Sequence, residues 1–275
     1  MRKKYMVVFI LLLTALPMAG CGSARTPDPT PEPTLTQTAQ PTATATVPSG
    51  PVHLEYLGHA SFELTAGDGT RIVMDPYKTG QSPIEIWKYP PGIVADAVTI
   101  SHFHPDHDGI ENVGGKPQEI YKTGAYQVGA VKITGYKSDH GYLNGEPNGD
   151  NTVFVFETGG IKIVHMGAAG VVTQSDILAA IQGADVVIID AMGTSSHPVP
   201  EMMKQLRDGG VRMVIPSHNS ITATTIYYGS ITVDDFVKLL ASEEKVNRSG
   251  LTEITVTPGM PVQVLIMTPL ALSTQ

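Results

Sequence analysis

The segment AVTISHFHPDH, from Ala97 to His107, joins an apolar run to a cluster of histidines around one carboxylate. His102, His104 and His107 are three of the nine histidines of the chain, and Asp106 precedes the last of them. Neutral imidazole and carboxylate are the side chains that bind zinc and its first-row neighbours. On an extended segment alternate side chains share a face, and a proline turn can bring the last two donors round. The segment therefore predicts a metal site at the end of a strand.

The first 20 residues are typical of a secretory signal peptide. Three basic residues precede an apolar stretch, Met6 to Leu13, that is too short for a comfortable membrane span. Small residues stand just before Cys21, as in the bacterial lipoprotein cleavage box. We therefore predict a signal peptide over residues 1–20 and a lipid on Cys21, which would anchor the protein to the cell membrane on its extracytoplasmic side. Ordinary secretion without a lipid is the alternative.

Residues 21–50 are predicted to be a disordered tether, because Thr, Pro, Ala, Ser and Gln dominate them and cannot bury a core. Residues 51–275 remain for one good-sized domain. This domain contains no cysteine, so neither disulfides nor thiolate ligands stabilise it, and a metal must be held by histidine and carboxylate.

The charge of the chain disfavours a nucleic-acid partner. Removing residues 1–20 takes away three of the 18 basic residues and no acidic one, which leaves 15 basic against 26 acidic residues and a net charge of −11. Nucleic-acid binding proteins carry basic patches that neutralise phosphates, and this chain has none.

Secondary-structure patterns change along the domain. Hairpin signals dominate the first half, and strands alternate with helices in the second. Two helices carry apparent capping boxes, Thr173 with Asp176 and Thr232 with Asp235. The predicted strands are Val52–Leu57, Ser61–Thr65, Arg71–Met74, Asn151–Glu157, Ile161–Met166, Asp185–Asp190 and Val211–Pro216, and the predicted helices are Thr173–Gln182, Pro200–Arg207 and Thr232–Ala241. Such an order predicts sheets sandwiched between helices, an α/β (α+β) class.

Three further segments lie on either side of the histidine cluster: YLGHASF at Tyr56–Phe62 and MDP at Met74–Pro76 before it, and IPSH at Ile215–His218 after it. Together the segments resemble the metallo-β-lactamase superfamily, and within it the lactonase-like hydrolases that include ascorbate-6-phosphate lactonase. The similarity spans residues 52–219. It implies a four-layer αββα sandwich with mixed sheets.

The resemblance also implies the ligands of one or two metal ions, with zinc expected and manganese or iron as alternatives. The implied ligands are His102, His104 and His140 for a first ion, and Asp106, His107 and His218 for a second. Asp75 would orient ligands from behind the site. His59 is either a pocket residue or a hydrogen-bonded structural histidine. Of the other histidines, we expect His165 in the core, and His53 and His197 at the surface.

One position departs from the family pattern. In the relatives the aspartate of a His-x-Gly-Asp segment bridges the two metals, whereas here the stretch is HMGAA, from His165 to Ala169, and Ala168 stands at the bridging position. Losing a carboxylate between two cations leaves more of their mutual repulsion unneutralised. The departure is compatible with a rewired hydrolase or with a domain that has lost catalysis.

The resemblance favours a metal-dependent hydrolase. A water activated by the metal would attack an ester, a lactone or a related bond of a small molecule, and Asp106 would orient the attacking group. The alternatives are a non-catalytic metal- or ligand-binding lipoprotein on the same fold, and an enzyme that hydrolyses β-lactams.

Overall fold

The computed structural model describes residues 50–80, 88–143, 146–147, 149–220 and 230–273. The signal peptide, the lipidation at Cys21 and all but the last residue of the tether lie outside these ranges and stay predictions. In the described part of the chain, no helix has the length and apolar character needed to cross a membrane.

Strands far outnumber helices among the described residues. The strands are β1 (Val52–Gly58), β2 (Ser61–Thr65), β3 (Arg71–Met74), β4 (Val94–Thr99), β5 (Gly114–Ile120), β6 (Gly124–Val128), β7 (Val131–Asp139), β8 (Tyr142–Leu143), β9 (Glu146–Pro147), β10 (Asp150–Thr158), β11 (Ile161–His165), β12 (Val186–Asp190), β13 (Met213–Ser217), β14 (Val246–Arg248), β15 (Glu253–Val256) and β16 (Gln263–Ile266). The helices are α1 (Ser175–Ile181), α2 (Val199–Asp208), α3 (Val233–Lys238) and α4 (Leu270–Ser273), with a 3-10 turn at Ile110–Asn112.

The strands form two large mixed sheets and a small ribbon of β8 and β9. The first sheet has six strands in the order β15-β1-β2-β3-β4-β5, antiparallel as far as β3 and parallel from β3 to β5. The second has eight strands in the order β14-β16-β13-β12-β11-β10-β7-β6. Its strands are parallel from β14 to β11 and antiparallel from β11 to β6. In both sheets, parallel strands end at a common edge.

Alternation along the strands sends apolar side chains to both faces of each sheet. On β10, Phe154 and Phe156 face the core between the sheets, whereas Val153 and Val155 face the opposite side. The central core also contains Phe62 and Ile215, one from each sheet. Because both faces of the central strands are buried, these strands read as nearly continuous apolar runs.

Helices cover the outer faces of both sheets. Ile177, Met202 and Phe236, from α1, α2 and α3 respectively, pack on the outer face of the eight-stranded sheet. Tyr77 and Ala271 belong to the cluster on the outer face of the six-stranded sheet. The layers therefore run helix, sheet, sheet, helix, and the predicted αββα sandwich with mixed sheets is confirmed.

The predicted helix caps have different outcomes. Thr232 caps α3, since its hydroxyl oxygen accepts a hydrogen bond from the backbone N–H of Asp235 at 3.1 Å. The other capping box is wrong. Helix α1 starts at Ser175, after an N-cap residue, Gln174, that makes no side-chain capping bond. The Thr173 pattern lies one residue too early, because the chain is still extended at Gln174.

Replacing Phe62 with alanine tests the central core. This ring is fully buried and stacks on Tyr56 with centroids 4.5 Å apart. We expect Phe62→Ala to lower the free energy of unfolding by about 3–5 kcal/mol, because the variant loses apolar burial and leaves a cavity. Denaturant unfolding measures the loss. Phe103→Ala is the control, because that ring is 62% exposed and its removal should change stability by less than about 0.5 kcal/mol. A loss below about 1 kcal/mol at Phe62 contradicts the packing.

Candidate metal centre

The predicted ligands meet at the carboxyl ends of the parallel strands. The loop after β4 carries the histidine cluster, Asp75 follows β3, and His218 follows β13. His140 lies just after β7, and His59 lies in the turn between β1 and β2. Strands from both sheets thus deliver donors to one edge of the sandwich, the position where α/β sheets commonly bind ligands.

Three histidines form the first donor group. His102 Nε2 lies 3.1 Å from His104 Nδ1 and 3.2 Å from His140 Nε2. His102 is buried, His140 is partly buried and His104 is exposed. The group is therefore buried on the side of His102 and open to solvent on the side of His104. We call it the open group.

Four buried residues form the second donor group, which we call the closed group. Asp106 Oδ2 lies 3.1 Å from His59 Nε2, 3.1 Å from His218 Nε2 and 3.6 Å from His107 Nε2. In each group the donor atoms lie within 4.8 Å of one another, a spacing that one ion can span. The rings of His102 and His107 are 4.1 Å apart, so the two groups share a wall. Imidazole and carboxylate donors fit zinc, manganese or iron.

Asp75 connects the site to the strand behind it. Its carboxylate accepts hydrogen bonds from the backbone N–H of Ser101 at 2.7 Å and from the Ser101 hydroxyl. It also lies 2.8 Å from His107 Nδ1. Because Nδ1 of His107 faces Asp75, Nε2 is the nitrogen that faces the donor group. A carboxylate behind a ligating histidine is the usual second shell of a metal site.

Burial and charge set the protonation of the closed group. Burial opposes the charged form of His107, but the carboxylates of Asp106 and Asp75 outweigh it and raise the pKa of His107 to about 9. Burial and the neighbouring His218 lower the pKa of His59 to about 3. Burial would raise the pKa of Asp106, yet the charge of His107 and the hydrogen bonds from His218 and His59 lower it below its usual range. The metal-free group thus carries a proton on His107 where a cation can replace it.

Three residues of the site have a left-handed backbone conformation. In the described ranges, the non-glycine residues with positive φ are His59 at 52°, Asp75 at 40° and His218 at 63°. Each such conformation costs about 1–3 kcal/mol for a residue with a β-carbon, and strain of this kind concentrates at functional sites. The carbonyl of His59 accepts hydrogen bonds from the backbone N–H of His218 and from the hydroxyl of Tyr56, which hold the strained turn.

At the departure from the family pattern, Ala168 is buried and presents only a methyl group. Its backbone N–H donates to Asn151 Oδ1 at 3.0 Å, and its carbonyl oxygen lies 2.8 Å from His197 Nε2. Gly167, before it, has a φ of 57°, and an added β-carbon would lie 2.4 Å from Asn151 Oδ1. The turn therefore keeps a tight, hydrogen-bonded form without the carboxylate.

Two histidine predictions have opposite outcomes. His165 is buried as predicted, with Nε2 3.1 Å from the carbonyl of Ala60. The prediction of a surface position for His197 is wrong, since this residue is 2% exposed. It lies in the loop between β12 and α2 with its ring against the Ala168 carbonyl, and a histidine in a loop gives no sequence signal of such burial. His53 is partly exposed, beside Glu253.

Sequence reasoning missed one buried carboxylate near the site. Asp190 ends β12 and is 2% exposed, with Oδ1 3.8 Å from His218 Nδ1 and Oδ2 3.7 Å from His197 Nε2. The sequence does contain a signal for this residue, because Asp190 stands at the end of an apolar strand, just as the histidine cluster follows the apolar strand β4. The prediction treated it as part of the strand.

Metal affinity of the closed group should rise with pH up to about 9. The ion must displace the proton that His107 carries below that pH. His59 has its pKa near 3 and releases no proton in this range. We expect about one unit of log K per pH unit between pH 7 and 8.5, measured with zinc-buffered titrations of a His104→Ala variant, in which the open group is disabled. An affinity that does not change over this range contradicts the assignment of His107.

Relatives of the chain support the fold and the chemistry of the donor set. The chain is 26% identical over 193 residues to a UPF0173 metal-dependent hydrolase of Carboxydothermus hydrogenoformans, covering 60% of this chain and 83% of the relative. It is 27% identical over 208 residues to a UPF0173 metal-dependent hydrolase of Rubrobacter xylanophilus, covering 62% and 82% respectively. Both matches extend over most of the relative.

Solved structures show the same architecture. A crystal structure from Thermotoga maritima, described as a candidate zinc-dependent hydrolase of the metallo-beta-lactamase superfamily, matches with a TM-score of 0.59 and 29% identity. The match covers 78% of this chain and 98% of the other. The metallo-beta-lactamase fold protein YhfI from Bacillus subtilis shares the fold at a TM-score of 0.52 and 14% identity, covering 80% and 97%.

The model of the beta-lactamase superfamily domain matches residues 53–218, from the first strand to the last histidine of the closed group. The match spans more than half of the chain, and the protein belongs to this superfamily.

Proposed function

We propose that the protein is a metal-dependent hydrolase that cleaves an ester, a lactone or a related bond of a small molecule. The observation that carries the proposal is the unequal make-up of the two donor groups. One has three histidines and a side open to solvent, and the other has four buried donors. Catalytic zinc sites keep an open position beside three protein ligands, whereas structural sites are filled by four. The open group is therefore the expected place of reaction.

The residues around the open group serve to orient it. His102 Nδ1 lies 3.0 Å from the Ser101 hydroxyl, which in turn contacts Asp75, so Nε2 of His102 is directed toward His104 and His140. A divalent ion bound there supplies a water of lowered pKa and polarises the scissile oxygen. The exposed His104 leaves a path for substrate, and the buried closed group lies on the other side of His102.

A groove beside His102 suits a small substrate. It has a volume of about 540 Å³, within the range of small-molecule sites. Phe103 and Tyr121 form an aromatic wall with ring centroids 5.4 Å apart, and Lys122 Nζ lies 5.6 Å from the Tyr121 ring. Such a wall favours a substrate with an apolar part next to its scissile bond. The preference for esters and lactones rests on the resemblance to the lactonase-like hydrolases.

A larger groove, of about 960 Å³, lies at the opposite end of β11 and β12. Its described lining residues include no histidine, and the charged ones include Lys132 and Glu157, which pair with each other at 2.6 Å. Its size does not make it the site, because it offers no catalytic donor set.

Zinc is the proposed metal, since three imidazoles with an open fourth position are a common arrangement for catalytic zinc. Manganese and iron are the alternatives that elemental analysis of the purified protein distinguishes. We propose further that Cys21 carries a lipid and that the acidic domain is held on a tether outside the cytoplasmic membrane. Cell fractionation tests this, because a Cys21→Ala variant should leave the membrane fraction.

Chelator-sensitive turnover tests the function. We expect the zinc-containing protein to hydrolyse at least one member of a panel of aryl esters, lactones, β-lactams and phosphodiesters. His104→Ala should reduce kcat/KM by at least about 100-fold, because it removes a donor of the open group. His53→Ala is the matched control, a partly exposed histidine that belongs to neither donor group and lies beside the surface residue Glu253, and it should leave the rate unchanged.

The outcomes separate the alternatives. A protein that contains metal and hydrolyses nothing on the panel is a binding lipoprotein, the second function that the alanine at position 168 suggests. Turnover restricted to β-lactams identifies a β-lactam-hydrolysing enzyme. Turnover that survives both a chelator and His104→Ala contradicts the proposed site.

A further inference from the structure

The two donor groups contain only one carboxylate for two divalent ions. Asp106 belongs to the closed group, and the other donors are imidazoles, which bring no negative charge. Two ions bound side by side repel each other strongly in a buried site, so stable binding needs further negative charge nearby. Asp75 supplies some, but its oxygens already accept hydrogen bonds from Ser101 and His107.

Asp190 is, after Asp75, a second buried carboxylate behind the donor groups. Its Oδ1 accepts the backbone N–H of Met192 at 3.0 Å, whereas its Oδ2 is buried and makes no hydrogen bond to any residue that the structure describes. His197 does not satisfy it, because Nε2 of that ring is 3.7 Å from Oδ2 and only 2.8 Å from the carbonyl of Ala168. A buried carboxylate oxygen without a partner is costly unless a positive charge is close.

The ring of His218 lies between two carboxylates. Its Nε2 is 3.1 Å from Asp106 Oδ2 inside the closed group, and its Nδ1 is 3.8 Å from Asp190 Oδ1 behind the group. His107 has the same arrangement, with Nε2 toward Asp106 and Nδ1 toward Asp75. Two of the three histidines of the closed group are therefore backed by a carboxylate, and these carboxylates lie just after β3 in one sheet and at the end of β12 in the other.

We infer that Asp190 supplies the negative charge that position 168 lacks, and that it acts through His218 to hold the ion of the closed group. Asp190 and Ala168 lie at the ends of the adjacent parallel strands β12 and β11, so a charge moved from one to the other stays at the same edge of the sheet. Asp190 is thus a positioning residue and not a ligand. The inference concerns metal binding and does not require that the bound protein be a catalyst.

Asp190→Asn removes the charge and keeps the shape. The amide oxygen can still accept the Met192 N–H, so the metal-free protein should fold and melt close to the parent. Zinc affinity of the closed group, measured by competition with a chelating dye in the His104→Ala background, should fall about 10–100-fold. Cobalt substitution supplies a second readout, since the absorption bands of the closed group should lose intensity at equal cobalt concentration.

Moving the carboxylate from position 190 to position 168 separates an effect on metal binding from an effect on folding. The double variant Ala168→Asp with Asp190→Asn should recover most of the lost zinc affinity, because it returns the charge to the neighbouring strand. Asp185→Asn is the matched control, since Asp185 lies just before the opposite end of β12 and accepts the backbone N–H of Lys162. It should leave zinc affinity unchanged.

The inference is overturned if Asp190→Asn leaves zinc affinity unchanged, or if it lowers the melting temperature of the metal-free protein and the double variant recovers nothing. A protein that shows the Asp190 dependence of zinc binding but hydrolyses no substrate supports the inference and contradicts the proposed function. The two proposals therefore fail on different measurements.

Discussion

The arrangement of the site depends on the hydrogen bonds that the buried carboxylate of Asp75 accepts. Residues 100–109, which follow β4, belong to no helix or strand, and the hydrogen bonds that Ser101 and His107 make to Asp75 attach them to the end of β3. Hydrogen bonds to a charged group are worth about 1.5–3 kcal/mol each, and leaving a buried charge unpaired costs about 3–5 kcal/mol. The chain can therefore bury Asp75 only in a form that also orients His107 and positions His102.

The rest of the centre is held by contacts between the sheets. His59 comes from the six-stranded sheet and His218 from the eight-stranded sheet, and the backbone N–H of His218 donates to the carbonyl of His59. Both residues have left-handed backbone, which the core between the sheets must compensate. Since the donors of the closed group are held by both sheets, an ion there would bind the two layers together, and metal binding becomes part of the folding free energy.

Sequence reasoning predicted those features that have a local signal. Two-residue periodicity and turn residues located β2 and β3 with their observed bounds, and a strand followed by clustered donors located the site. Features that depend on distant contacts were not predictable in this way. The burial of His197 comes from a carbonyl 29 positions earlier in the chain, and the early capping box failed because the backbone at Gln174 stays extended. Asp190 had a signal, a carboxylate at a strand end, but its role depends on the alanine of the neighbouring strand.

At the edge of a parallel sheet, a carboxylate on the neighbouring strand can compensate for the bridging carboxylate that is missing at Ala168. A bridging carboxylate touches both ions, whereas Asp190 acts from behind one histidine, so the charge reaches one ion more strongly than the other. The expected result is a centre with unequal ions, one held by four buried donors and one by three histidines that remain open. Because an ion held less tightly keeps more of its Lewis acidity for substrate and water, the asymmetry is compatible with hydrolysis at the open group. The alanine at position 168 thus removes a ligand that two ions would share, but the negative charge of Asp190 remains beside the closed group.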